Sequence, residues 1–543
     1  MDIKIFGKKR GEGRSQCDLG KARLEFAVEA VPGGRLVRGT VRGVPGRIEV
    51  VRLPAPAEFL LNNWQSWGPT QKVSRTTRFP ELEAIQREYG QTLFSPVPDL
   101  LLKGLVSDYF VAGESFLAGF TASRVAHPYF AVEEGELVGT LDYFGLRTEG
   151  PIPLEPLLLM DGPPVESLLG RYASLAQAEN AVAVNPWNPV GWCSWYHYFG
   201  KLEWADVRQN LERAKSDPGY PFEVFQIDDG YQADIGDWLE GRPSYPGLAG
   251  MAEAIRSRGF KAGIWTAPFS ASETSRLFRR RPEWMVAEDG RPRICYKAWG
   301  KNIYALDTSR PEVLDWIAKI FRTMAAAGFE YFKADFLFAA AMPGERARPL
   351  SPIQAYREGL RAVREAIGPA SFLLGCGAPL LPAAGFVDGM RIGEDTAPYW
   401  KTKPSPFQGP NAYFALKNAL TRSFMHKALW LNDPDCLLLR SSRIELSANE
   451  RACYALVAGA LDNMVLVSDD LSLVDGAGRA LLDEALRLRG GRAVVRGLLG
   501  EDFYLIESRG GPAGRVDLAV NLSNDRRLYK ERAIPPRSAV RVR

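Results

Sequence analysis

The sequence predicts an α/β protein built on a (β/α)8 barrel, with β domains before and after it. Three observations carry that expectation. From Val190 onward, short apolar runs alternate with helical patterns, and eight such runs follow one another. Before that point the chain alternates apolar and polar residues with period two, broken by Gly and Pro. Two late runs, Tyr331-Phe-Lys-Ala-Asp-Phe-Leu337 and Met390-Arg-Ile-Gly-Glu-Asp-Thr-Ala-Pro398, each reach a carboxylate just after a cation.

The elements follow in order. Residues 1–183 include Leu24-Glu-Phe-Ala-Val-Glu-Ala, Arg47-Ile-Glu-Val-Val-Arg-Leu and Tyr129-Phe-Ala-Val-Glu-Glu-Gly, which read as strands of an all-β sandwich. Pro163 to Asn180 reads as one helix, and Pro186-Trp-Asn-Pro189 as a linker. Residues 184–491 form the barrel domain. Its strands are expected at Val190–Trp195, Glu223–Ile227, Lys261–Trp265, Tyr331–Ala334, Ser371–Leu374, Gly389–Ile392, Ala428–Leu431 and Met464–Val467. Helical patterns lie between most of them, from Trp204–Lys215 to Gly478–Leu488. The third unit carries a long excursion, Thr266–Ala305, rich in Trp and Arg; such loops after barrel strands commonly shape a site. Residues 492–543 return to short strands, a small C-terminal β domain.

Composition narrows the function. The chain has 543 residues and a formal charge of +4, with no block of like charge that would suit nucleic acid or an acidic membrane. Met1-Asp-Ile-Lys-Ile-Phe-Gly-Lys-Lys-Arg10 lacks the apolar stretch of a signal peptide, and no run approaches ~18 apolar residues, so a cytoplasmic protein is expected. The six Cys are scattered without paired spacing, which reads as reduced thiols and no disulfide or zinc framework. Only three His are present, so Ser-His, Cys-His and His-rich metal chemistry are poorly supplied; no metal and no cofactor is expected. The 13 Trp, by contrast, suit a sugar site, where rings serve as apolar platforms.

Residues at the C-terminal ends of barrel strands face the active site. Lys333 and Asp335 stand two apart on strand four and share a face, so the ammonium is expected to keep Asp335 ionised, as a nucleophile must be. Arg391 precedes Asp395 by four residues at the end of strand six, and its planar fork suits a hydroxyl or a carboxylate. Asp395 is the candidate general acid/base, a role that needs a proton held near neutral pH; Glu394 beside it is a rival. Two such carboxylates are what glycoside hydrolysis with retention requires. Strand one closes on Gly191-Trp-Cys-Ser-Trp-Tyr-His-Tyr198, with Trp195 and Tyr196 as pocket candidates. Strand two closes on Gln226-Ile-Asp-Asp-Gly-Tyr-Gln232, where Asp228 and Asp229 are either a turn or acceptors for sugar hydroxyls. Strand three offers Trp265, and strand five offers Cys376, which by itself reads as a small buried hydrophobe.

These segments resemble the family 36 α-galactosidases of glycoside hydrolase clan D, in particular the compact bacterial ones. The likeness includes Asn62-Asn-Trp-Gln-Ser-Trp-Gly-Pro69, Phe225-Gln-Ile-Asp-Asp229, Ile264-Trp-Thr-Ala-Pro-Phe269, Asp335-Phe-Leu-Phe-Ala339, Gly375-Cys-Gly377 and Leu431-Asn-Asp-Pro-Asp-Cys436. The resemblance implies a β-supersandwich, the barrel and a small β-sandwich. It also implies Asp335 as nucleophile and Asp395 as acid/base. Asp228 and Asp229 would hold the 4- and 6-hydroxyls of galactose, with Lys333 and Arg391 on the 2- and 3-hydroxyl side. Cys376 and Trp265 would line the sugar, and Trp64 or Trp67 would close the pocket from the N-terminal domain.

One departure stands out: relatives carry Gly-Pro-Asp-Thr where this chain has Glu394 before Asp395. That residue either shifts the proton affinity of Asp395 or points into solvent. The expected activity is retaining exo-hydrolysis of α-galactosides such as melibiose and raffinose-type oligosaccharides. Alternatives on the same scaffold are a galactosyltransferase of the raffinose-synthase kind and an α-N-acetylgalactosaminidase. A divalent-metal sugar-acid enzyme and a catalytically dead sugar-binding protein are rivals from other classes. The partner is the oligosaccharide substrate; self-association is left open by the sequence.

Overall fold

The structure, a computed structural model, describes residues 4–543 apart from 7, 10–12, 20, 90–94, 98–99, 101–103, 402–406 and 408. Two antiparallel sheets come first. One has six strands and includes Arg47–Pro54, Glu136–Asp142 and His127–Glu133; the other has nine and includes Ala22–Val31, Gly34–Gly43 and Phe116–Phe120. Alternation decides which residues face inward. In Ala22–Val31, Ala22, Leu24, Phe26 and Val28 are buried while the residues between them are mostly exposed. Each large side chain removed from water in this way contributes about 1.5–3 kcal/mol. The expected helix is present at Val165–Glu179, and its Leu168, Leu169 and Tyr172 are buried.

The centre of the molecule is a parallel sheet of eight strands. These are β1 Val190–Cys193, β2 Val224–Ile227, β3 Lys261–Thr266, β4 Phe329–Ala334, β5 Phe372–Gly375, β6 Gly389–Arg391, β7 Leu431–Asp433 and β8 Val465–Val467. Neighbours pair in the order β7-β6-β5-β4-β3-β2-β1-β8. The seam between β7 and β8 is closed by single hydrogen bonds, from Met464 N to Asn432 O (2.9 Å) and from Leu437 N to Leu466 O (2.7 Å). All eight expected strands are therefore found, but β7 begins at the residue where Ala428–Leu431 was expected to end.

Among the described residues six helices of ordinary length return the chain between barrel strands and a seventh, Gly476–Leu488, follows β8. Pro352–Ile367 opens with Ser351 as N-cap, Pro352 at the first turn and Gln354 reaching back in a capping box. Pro311–Ala327 ends at Gly328, whose φ of 109° turns the chain into β4. After β5 only the short helix Leu380–Ala383 forms, and Ala412–Thr421 is followed by a 3₁₀ turn, Ser423–Met425. The Thr266–Ala305 excursion folds into a three-stranded sheet, Ser270–Ser272, Lys301–Ala305 and Ile294–Ala298. Its hairpin tip is Trp299-Gly300, both at positive φ. The chain ends in a four-stranded antiparallel sheet, Arg492–Arg496, Phe503–Gly511, Gly514–Asn521 and Ser538–Arg541, with a small hairpin beside it.

The loop from Asn62 to Thr70 carries the N-terminal sheets onto the barrel. Ser66 N donates to Ala378 O (2.9 Å), and buried Arg422 donates to Ser66 O (2.6 Å) and Thr70 Oγ1 (2.7 Å). Cys193, Cys295, Cys376, Cys436 and Cys453 are buried free thiols; the Cys17 side chain lies outside the described residues. Among the described residues no helix is long and apolar enough to cross a membrane.

Candidate active site

Consecutive strands deliver their last residues to one end of the barrel, and there charges of both signs interleave. Lys333 on β4 is buried, and its Nζ donates to Asp228 Oδ2 at 2.9 Å, just past β2. Asp335, one residue past β4, stands 3.9 Å from the same ammonium. Lys333 is thus first the partner of Asp228 and only second that of Asp335, a correction to the pairing expected along one strand. Burial works against the ammonium, but Asp228 and Asp335 outweigh it and hold its pKa well above the ordinary value.

Asp335 is fixed by rigid donors. Trp265 Nε1 donates to Oδ2 (2.9 Å), and Phe336 N donates to Oδ1 (2.8 Å). Burial pushes its pKa up, against Lys333, a Cys376 hydrogen bond and Trp265, while the charge of Asp395 adds to the rise. Lys333 therefore moderates the proton affinity of Asp335 without setting its direction. Phe336 sits at φ 50°, a strained value for a non-glycine residue, directly after the carboxylate.

Asp228 and Asp229 are buried and differ in what they have left to offer. Asp228 is occupied: Lys333 and Gln226 Nε2 (2.5 Å) donate to Oδ2, and Asp229 N donates to Oδ1 (2.9 Å). Asp229 accepts from Gln232 Nε2 at 2.5 Å and from Trp299 Nε1 at 2.8 Å. Burial raises its pKa, Gln232 and Trp299 oppose, and Asp228 and Asp335 add to the rise.

On the far side Arg391, at the end of β6, is almost wholly buried. Its Nη2 donates to Asp395 Oδ1 and to Tyr196 OH (3.0 Å), and it lies 2.7 Å from Asp435 Oδ2. Its Nε is buried without a hydrogen-bond partner among the described residues. The Asp395 side chain keeps 33% of its surface exposed, against 9% for Asp335. Glu394 beside it is buried, its Oε2 has no hydrogen-bond partner among the described residues, and burial, with the charge of Asp395 second, pushes its pKa well up. The solvent-facing alternative for Glu394 is thereby overturned.

Aromatic rings wall the cluster. Trp67 Nε1 donates to Cys376 Sγ (3.3 Å), and its ring meets Phe336 at 4.8 Å between centroids. That approach needs Gly377, at φ 52°, where a Cβ would meet Trp67 at 3.0 Å. Trp64 is fully buried instead, edge-on to His127 and Phe338, so Trp67 is the member of the pair that reaches the cluster. Trp195 packs on Phe199 and takes no part in the hydrogen-bond network of the described residues.

Sequence reasoning missed four participants: Trp299, Gln232, Asp433 and Asp435. Asp433 ends β7, and Arg391 and Lys333 both pull its pKa down against the rise imposed by burial. Leu431-Asn-Asp-Pro-Asp-Cys436 was visible as a motif, but a strand placed short of Asn432 left both carboxylates in a loop. For Trp299 the only signal was a Trp-Gly pair in a long excursion.

A family profile for the N-terminal domain of α-galactosidases matches residues 27–161, and the melibiase profile matches residues 173–351. The chain resembles the solved α-galactosidase TtGalA of Thermus thermophilus in complex with stachyose. Identity is 30%, the match covers 88% of this chain and 100% of that one, and the TM-score is 0.71. With the same enzyme's p-nitrophenyl α-D-galactopyranoside complex the TM-score is 0.72 at 30% identity, over 93% and 99% of the two chains. The curated α-galactosidase AgaA of Geobacillus stearothermophilus is 31% identical over 204 residues, 35% of this chain. That stretch spans 26% of AgaA, so the match covers about a quarter of that relative's length.

Proposed function

The chain belongs to the family 36 α-galactosidases, and from that premise we propose that it hydrolyses terminal α-galactosyl residues with retention of configuration. Asp335 attacks the anomeric carbon as the bond to the leaving oxygen breaks, and Asp395 gives that oxygen its proton. A β-linked galactosyl–Asp335 ester results. Water then attacks the same carbon and loses a proton to Asp395, and the ester bond breaks to return Asp335. Melibiose and raffinose-type oligosaccharides are the substrates proposed.

One observation carries this reading: two carboxylates on one rim of the barrel sit in opposite surroundings. Asp335 is enclosed and held by Trp265 and a backbone amide, as an in-line nucleophile needs. Asp395 is a third exposed and has one guanidinium partner, so solvent can reach it. Asp229, held by Trp299 and Gln232, is placed to accept the axial 4-hydroxyl or the 6-hydroxyl of galactose. A panel of nitrophenyl glycosides with NMR detection of the first product tests it. Turnover of the α-galactoside with α-galactose appearing first is expected. Release of β-galactose would mean inversion and remove Asp335 as nucleophile. Oligosaccharide products in place of free galactose would identify a transferase.

A further inference from the structure

Arg391 presents a problem of charge. Its guanidinium is 1% exposed, and an unpaired buried cation is among the most destabilising groups a protein can hold. Asp395 cannot be its permanent partner. On the reading above, that carboxyl is neutral for part of every turnover. Asp435 supplies the missing charge when ionised; burial pushes its pKa up to about 7, with Arg391 opposing and Asp395 adding to the rise, so the charge is present on the alkaline side of neutrality. Its side chain is 2% exposed, and its Oδ2 lies 2.7 Å from Arg391 Nη2. Three oxygens, from Asp395, Asp435 and Tyr196, thus surround one nitrogen that carries two hydrogens.

Asp435 is itself immobilised. Cys436 N donates to Oδ1 (2.7 Å), and Asp433 Oδ1 accepts from Asp435 N (2.9 Å). Its φ is 81°, a strained conformation for a residue other than glycine, and such strain concentrates at working sites. The other contact of Oδ2 is with Thr396 N at 2.7 Å, the amide directly after Asp395. One carboxylate just past β7 therefore grips both the backbone and the ion-pair partner of a residue on the loop after β6.

We infer that Asp435 is a positioning residue for proton transfer: on the alkaline limb it is the second counter-ion of Arg391, and it anchors the Thr396 amide, so Asp395 gains and loses its proton in place. The inference rests on the assignment of Asp395 as acid/base. Asp395 is faced by Arg391 and Tyr196, by the carboxylates Asp335, Asp435 and Glu394, and by Cys376. Removing the charge of Asp435 takes one anion from that group and leaves Arg391 to Asp395 alone. Both changes favour the ionised form of Asp395, which cannot protonate a leaving group.

The test is the pH dependence of kcat/KM in Asp435→Asn, which keeps the left-handed backbone but loses the charge and, because Nδ2 cannot accept, one of the two amide contacts. The alkaline limb is expected to move to lower pH. At pH 7.5 melibiose, a poor leaving group, should lose about tenfold more than nitrophenyl α-galactoside. Asp435→Gly relieves the positive φ and should show the same leaving-group split. Equal losses on both substrates with an unmoved limb would overturn the inference, as would failure of both variants to fold, which would make Asp435 purely structural. Asp395→Gly separates the two levels. If it shows no leaving-group dependence, the acid/base assignment fails; if it does and Asp435→Asn does not, only the inference fails.

Discussion

The two sides of the rim solve opposite problems with the same kind of group. On the β3–β4 side, Asp335 has donors that cannot move: an indole in the core and the amide of the next residue. Its side chain is 9% exposed, and the nearby ammonium belongs first to Asp228. On the β6–β7 side, Asp395 is 33% exposed and depends on a guanidinium that also serves Asp435 and Tyr196. Enclosure suits a group that must meet one carbon at one angle. Exposure and a shared partner suit a group that must exchange protons twice in each turnover.

The largest effect should come from removing the enclosed carboxylate. Asp335→Gly should lower activity by at least ~10⁴-fold on every galactoside, whatever the leaving group. Added azide should then yield β-galactosyl azide, read by NMR. Uniform loss with no azide product, in a folded protein, would place the nucleophile elsewhere.

Asp395→Gly breaks the other side and should do so unevenly. Melibiose should lose about 10²–10⁴-fold, while a dinitrophenyl galactoside still forms the intermediate. Azide should now give the α-azide. If Glu394→Gln shows this pattern and Asp395→Gly does not, the proton belongs to the neighbour.

Asp229→Asn probes the proposed sugar-binding carboxylate of the enclosed side. Asparagine removes the charge and sets an NH2 against one of the two donors, Gln232 or Trp299, which then loses its acceptor. A fall in galactoside kcat/KM of about a hundredfold is expected. Unchanged rate and unchanged galactose preference would reduce Asp228-Asp229 to a turn.

The smallest effect concerns Glu394, whose buried Oε2 has no hydrogen-bond partner among the described residues. Burial raises its pKa in the folded state, so its proton stabilises the fold in full only below the unfolded value of about 4.3. As pH rises above that value the stabilisation is lost progressively, up to the folded-state value, at about 1.4 kcal/mol per pH unit. Glu394→Gln removes this dependence. Thermal melts of the two proteins should lie close at pH 4 and separate in favour of the variant as pH rises. Parallel melting curves across that range would contradict the account.

The barrel was legible because its signals are local. An apolar run of four to six residues, a capping Ser with Pro after it, or a Gly that ends a helix declares itself within a few positions, as at Ser351-Pro352 and Gly328. Asp335, Asp395, Asp228, Asp229 and Trp265 could be placed on the rim for the same reason: each lies within four residues of a strand end. Which carboxylate pairs with which cation was not local, and only the tertiary structure decided it. Lys333 is two residues from Asp335 and 105 from Asp228, yet the nearer oxygen in space belongs to Asp228. Asp435 is bound to Arg391 across two neighbouring strands, and Trp67 reaches Cys376 from another domain, 309 positions away. Adjacent strands lie ~4.8 Å apart whatever the chain length between them, so closing the barrel sets ion-pair distances that no spacing in sequence encodes.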